Sequence, residues 1–125
     1  MTAKAQPRKV SRRTLPEQSR RRARAVEPER LDVTVVLPCY NEQDHVLAEV
    51  ERISQAMDTS GYRYELLAID DASTDDTLRI LREAQLRFPH LRLLPLPRNG
   101  GSGTARRIGT QQARGGIVVW TDADM

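Results

Sequence analysis

From Leu31 onward the chain alternates short unbroken apolar runs with longer stretches in which apolar residues recur every three or four positions. The first run, 33–37, is β-branched and closed by Pro38, and it predicts a buried strand. Asn41 stands where a helix cap belongs, and Val46, Leu47, Val50, Ile53 and Met57 follow at helical spacing until Gly61. A second apolar run, 64–69, predicts another strand and ends in Asp70 and Asp71. Ser73 reads as the next helix cap, with Asp75 and Asp76 facing the positive end of the helix dipole. Thr77, Leu78, Leu81, Ala84, Gln85 and Phe88 give that helix its mainly apolar face, and Pro89 stops it. A third strand is expected at 91–94, then a glycine-rich loop at 99–103 and a helix over about 104–114. Gly115 and Gly116 turn the chain into a fourth apolar run, 117–121, in which Trp120 reads as core and which delivers Asp122.

This β-α-β-α-β-α-β order predicts a mainly parallel sheet with crossover helices, an α/β fold of the Rossmann type covered on both faces. Ligands of such sheets bind beyond the carboxyl ends of the strands. Three strand ends carry polar clusters: Pro38, Cys39, Tyr40, Asn41 and Glu42; Asp70 and Asp71; and Asp122, Ala123 and Asp124. They are expected on one rim.

Charge divides the chain in two. Residues 1–30 carry ten Lys/Arg against three Glu, whereas the remainder carries ten basic and fourteen acidic residues. Region 1–30, which has no apolar periodicity and contains Pro7, Pro16 and Pro28, is expected to be a disordered basic tail. It is either a solvated extension or an electrostatic tether to an anionic membrane leaflet. Nucleic-acid binding ranks last, because no aromatic is interleaved with the arginines. Region 31–125 is the folded part. No run reaches about 18 apolar residues, so no span is expected; no apolar segment follows the basic start, so neither is a signal peptide. Cys39 is the one cysteine, which excludes an intrachain disulfide. A cytoplasmic location, peripheral at the membrane if the tail binds there, fits this pattern.

Each cluster has a structural and a functional reading. Asp70 and Asp71 end a strand, where successive side chains diverge; one can accept hydrogen bonds from a base or a ribose, or both can serve the adjacent turn. Tyr40 can lie against a nucleobase and Glu42 can take a base or sugar donor; equally, Tyr40 can pack and Glu42 can be a first-turn acid. Cys39 has nothing beside it to depress its pKa and reads as a small strand-end residue. In the segment 99–109 backbone N–H groups and Arg106 or Arg107 can hold a diphosphate, though the glycines fit neither a dinucleotide fingerprint nor a P-loop. His45 and His90 are isolated, so surface or turn roles are expected. Asp-x-Asp at a strand end can hold a divalent cation against a diphosphate.

Together the segments 35–42 (VVLPCYNE), 69–77 (IDDASTDDT), 99–109 (NGGSGTARRIG) and 121–125 (TDADM) resemble family 2 glycosyltransferases of GT-A fold. They are most similar to the branch of dolichyl- and polyprenyl-phosphate mannose or glucose synthases. The resemblance covers residues 33–125. It implies that Pro38, Tyr40 and Glu42 contact the nucleoside, and that Ile69 and Asp71 embrace the base, with Asp71 the hydrogen-bonding acid. It further implies that Asp122 and Ala123 border the ribose and diphosphate, that Asp124, with Asp122, ligates Mg²⁺ or Mn²⁺, and that Arg107 is the basic residue of the glycine loop. The expected activity is inverting transfer of a hexose from a GDP- or UDP-sugar to an acceptor such as a polyprenyl phosphate. Family members continue past Asp-x-Asp into the acceptor site, so this chain is expected to be the nucleotide-sugar-binding half, incomplete at its C-terminus. Two other readings are a non-catalytic nucleotide-binding fragment and a sugar-nucleotide pyrophosphorylase. The second is discounted because its glycine loop should follow the first strand.

Overall fold

The computed structural model describes residues 30–121. The basic segment 1–29 and the acidic pair with its neighbours, 122–125, lie outside the described residues.

The elements follow the predicted order: β1 (Leu31–Cys39), α1 (Val46–Asp58), β2 (Tyr64–Asp70), α2 (Thr77–Ala84), β3 (Leu91–Pro95), α3 (Gly101–Gln112) and β4 (Gly115–Trp120). All the strand pairings are parallel, in the order β3-β2-β1-β4. The chain steps from β1 to β2 to β3 in one direction, then returns to place β4 on the other side of β1. That reversal makes the gap between β1 and β4 a topological switch point, where open α/β sheets bind ligands at the carboxyl end.

Strand periodicity divides the core. Val33, Val35, Leu37 and Cys39 of β1 and Tyr64, Leu66 and Ala68 of β2 pack with Val46, Val50 and Ile53 of α1 and Leu81 and Ala84 of α2. Val36, Leu67 and Ile69 project to the opposite face and meet Ala105 of α3. Gly109 lets α3 come close: a Cβ there would lie 2.6 Å from Cγ1 of Val36.

β1 continues through Pro38, which aligns with Ile69 of β2. The N–H that proline lacks would face β4, whose described pairing runs to Val36 and Trp120. α3 starts three residues earlier than the glycine pattern suggests, because the N–H groups entering its first turn are held by a side chain of the neighbouring loop. Trp120 is not core among the described residues. It lies half exposed on the edge strand β4, with its indole N–H donating to Thr110 (3.2 Å), and Ile117 and Val119 are exposed beside it.

At the amino end of the sheet, buried Glu65 accepts bonds from Thr34 (2.7 Å), Arg92 (3.0 Å) and the Arg114 N–H (2.8 Å). The Thr34 hydroxyl in turn accepts the N–H of Gly115 at 2.9 Å. Burial alone would raise the Glu65 pKa, but these donors and the Arg92 charge outweigh it and hold the carboxyl below its ordinary range. Nearby, burial and the bond to Asp58 push the Tyr64 phenol up to about 12, while its ring lies against His90.

Candidate nucleotide-sugar site

The loops after β1, β2 and β3 are tied together at the carboxyl edge. Asn41 adopts a left-handed conformation (φ 51°), one of the few that asparagine tolerates well. It does not cap α1, whose cap position is His45 without a side-chain bond. Its Oδ1 instead accepts the N–H of Thr74 (2.8 Å) and of Asp75 (3.3 Å), and its own N–H donates to Ser73 Oγ (2.9 Å). Ser73 therefore braces the first loop rather than capping α2. Asp75 takes that local role by accepting the N–H of Thr77 at 2.9 Å. The N–H of Glu42 donates to Thr77 Oγ1 at 2.8 Å, and Gln43 accepts the N–H of Asp76 at 3.0 Å.

Asp70 and Asp71 diverge as strand geometry requires, and both are buried. Asp70 lies on the α1 side and accepts the N–H of Ser73 at 3.3 Å. Its Oδ1 is buried with no hydrogen-bond partner among the described residues, a cost of about 1–3 kcal/mol. Asp71 turns to the α3 side. Its Oδ1 accepts the N–H of Gly100 and its Oδ2 the N–H of Gly101, both at 2.8 Å. The Asn99 amide donates to the Asp71 carbonyl (3.1 Å), and the Asp71 N–H donates to the Cys39 carbonyl (2.8 Å). Gly101 has φ 87°, which only glycine adopts at low cost. Two N–H groups that could have faced a diphosphate are thus already engaged by a carboxylate.

Of the residues singled out in the sequence, Pro38, Tyr40, Glu42, Ile69 and Asp71 share this edge. Tyr40 is exposed there, Pro38 and Glu42 are half-buried, and Ile69 is fully buried beneath. Arg107 is on α3, facing a cavity of about 440 Å³ lined also by Arg106, Thr110 and Trp120. Asp122, Ala123 and Asp124 lie outside the described residues; Thr121, just before them, donates its N–H to the Val36 carbonyl at 3.0 Å on the β1 side of the switch point. Among the described residues no group of three or more His, Cys, Asp or Glu could hold a metal ion. Cys39 is buried, and burial first, then Asp70 and Glu42, raise its thiol well above the ordinary range. It is therefore a packing residue. The roles of Asn41 and Ser73 were missed in the sequence. The signal was an asparagine directly after a strand, where a left-handed residue is as natural as a helix cap.

The family model for glycosyl transferase family 2 matches residues 34–125, and the chain belongs to that family. Its sheet and crossovers are those of the GT-A fold. The undecaprenyl-phosphate 4-deoxy-4-formamido-L-arabinose transferase of Klebsiella pneumoniae is 39% identical over 94 residues, covering 74% of this chain and 29% of the relative. The chain therefore spans less than a third of the length of that relative. Among solved structures, the mannosyltransferase PcManGT of Pyrobaculum calidifontis, in complex with GDP-Man and Mn²⁺, is similar with a TM-score of 0.66 and 28% identity. That match covers 85% of this chain and 33% of the other. TarS of S. aureus in complex with UDP is similar with a TM-score of 0.65 and 26% identity, covering 75% and 28% of the two chains.

Proposed function

We propose that region 31–125 is the nucleotide-sugar-binding part of an inverting hexosyltransferase that uses a GDP- or UDP-sugar and a polyprenyl phosphate acceptor. The observation that carries this reading is the switch point between β1 and β4. The loop holding Pro38, Tyr40 and Glu42 lies on one side of it, and the strand leading to Asp122 and Asp124 lies on the other. The relative that acts on undecaprenyl phosphate and the neighbours bound to GDP-Man with Mn²⁺ or to UDP support the choice of acceptor and donor.

In this reading the exposed Tyr40 ring lies against the base over Pro38 and Ile69, and Glu42 takes a donor from the nucleoside. Asp71 borders the base. Arg107 offers a planar, permanently charged group to the diphosphate, and Asp122 with Ala123 borders ribose and phosphate. Asp124, with Asp122, supplies the hard oxygen donors that Mg²⁺ or Mn²⁺ prefers. Such an ion, when bound, neutralises charge on the departing nucleoside diphosphate. A phosphate acceptor is already ionised, so attack on the anomeric carbon requires no general base from these residues.

Calorimetric titration of the chain with GDP- and UDP-sugars, with and without Mn²⁺, tests the assignment. Metal-dependent binding of one donor is expected, and a folded chain that binds neither refutes it. The basic segment 1–30 is assigned to an anionic membrane surface, where each cation contributes roughly 1 kcal/mol. Sedimentation with anionic vesicles should lose its signal when the segment is deleted; equal binding removes the assignment.

A further inference from the structure

The pairing of β1 with β2 ends at Cys39 and Asp70, with one further bond from the Asp71 N–H to the Cys39 carbonyl. Tyr40, Asn41 and Glu42 lie past that point, so the strand ladder does not hold them. Tyr40 is 45% exposed and belongs to neither core cluster. What fixes this loop is a set of bonds to the loop after β2, centred on Asn41. Its Oδ1 accepts the N–H of Thr74, the N–H of Asp75 and the Thr74 hydroxyl, and its own N–H donates to Ser73 Oγ. One residue on, the Glu42 N–H donates to Oγ1 of the fully buried Thr77.

The backbone and the side chain of Asn41 act together. With φ 51° the residue turns the chain between Tyr40 and Glu42, a conformation that asparagine and aspartate tolerate and most residues oppose. Its amide oxygen meanwhile satisfies two N–H groups in the segment leading into α2, whose cap residue Asp76 makes no side-chain cap bond. None of the three residues that Asn41 contacts is fully buried, so loss of its side chain falls on the two loops and not on the sheet. A loop organised before its ligand arrives loses less of its binding free energy to ordering.

We propose that Asn41 is a positioning residue for the nucleoside: by latching the loop after β1 to the loop after β2, it presets the turn that presents Tyr40 and Glu42 to the base. The consequence rests on the donor-site reading, whereas the latch itself can be measured without any ligand.

The experiment compares the full chain with Asn41→Gly and with Asn41→Asp. Glycine adopts the same φ at low cost but removes the acceptor; aspartate keeps both the acceptor and the tolerance of that φ. By amide hydrogen exchange, Thr74 and Asp75 should be protected in the parent and exchange about tenfold faster or more in Asn41→Gly. In Asn41→Asp they should stay within about threefold of the parent, and Val35 and Leu66, inside the sheet, should change in neither variant. Unprotected amides in the parent, or protection kept in Asn41→Gly, overturn the latch. If Asn41→Gly loses the protection of Val35 and Leu66 as well, Ser73→Ala carries the same comparison, because it removes only the acceptor of the Asn41 N–H.

Binding is then followed by NMR with Mg²⁺, using guanosine and uridine as nucleoside probes and inorganic diphosphate as the probe of the phosphate subsite. Asn41→Gly should lose about tenfold in affinity for the nucleoside that the parent binds, while its diphosphate affinity stays within about twofold. Asn41→Asp should bring nucleoside binding back to within about threefold of the parent. Unchanged nucleoside binding in Asn41→Gly overturns the positioning role, and so does equal loss for nucleoside and diphosphate, the mark of a general structural defect. Asn41→Asp as weak as Asn41→Gly overturns it too, because the acceptor is then not the agent. A parent that binds neither nucleoside removes the donor-site reading and the positioning role together; exchange at Thr74 and Asp75 then decides the latch on its own.

Discussion

Glu65 gathers three donors from three parts of the chain in a place where water cannot replace them. Its folded pKa lies below its ordinary value of about 4.5, so the charged form is the one the fold prefers. The stability it contributes is present above that ordinary value and is lost as pH falls through the lower folded value. Urea midpoints should therefore fall between pH 5 and pH 3, and Glu65→Gln should flatten that dependence. At pH 7 the same substitution should cost about 3 kcal/mol, because Arg92 keeps its charge and the single amide oxygen cannot serve both Arg92 and the Thr34 and Arg114 donors. A variant as stable as the parent at pH 7 would show that Glu65 is incidental. None of this was legible in the sequence. Glu65 stands in an apolar run, and its donors come from positions as far away as Thr34 and Arg114. Asp71 was legible as a residue at the rim but not as a partner of Gly100 and Gly101, since hydrogen bonds between loops depend on how crossovers return. Pro38 and Tyr40 were easier, because a strand end followed by a polar cluster places itself.

At the scale of elements, order and type followed from periodicity: short apolar runs gave strands, spaced apolar residues gave helices, and alternation gave parallel pairing. Boundaries were set by contacts that periodicity does not contain. α3 is the clearest case. Its sequence includes Gly101, Gly103 and Gly109, each costly in a helix interior, so intrinsic preference favours a later start. Packing and the bonds to Asp71 override that preference. Gly109 is present because the helix sits against Val36, and Gly109→Ala should destabilise the chain by about 1–3 kcal/mol. Adding Val36→Ala should recover part of that loss by making room. Thermal denaturation of the two single variants and the double variant measures the coupling, and simple additivity would show that the contact does not limit the approach.

For the molecule as described, β1 and β2 are covered on both faces, whereas β4 shows Ile117, Val119 and Trp120 at its surface. Trp120 read as core because an apolar strand in an α/β sheet is normally covered twice; among the described residues it stays half exposed. An open apolar edge of this kind favours association. Light scattering should show concentration-dependent oligomers of these 125 residues at micromolar levels, and Ile117→Lys with Val119→Lys should reduce them. No helix of the described residues is long and apolar enough to cross a membrane. The family model takes in most of the described sheet and the acidic pair together.

Asp71 and Glu65 also act as a pair on α3. Both lie on the same face of the chain through β2, six positions apart, and they grip backbone N–H groups at opposite ends of one crossover. Six residues of strand span about 20 Å, and a twelve-residue helix spans about 18 Å. The strand therefore acts as a gauge against which the helix is cut to length. Insertions and deletions within 101–114 would break one grip or the other, while the exposed turn at 59–62, tied by local hydrogen bonds, is not gripped at both ends by a neighbouring strand. Length variation among related chains should accumulate in that turn and stay out of α3.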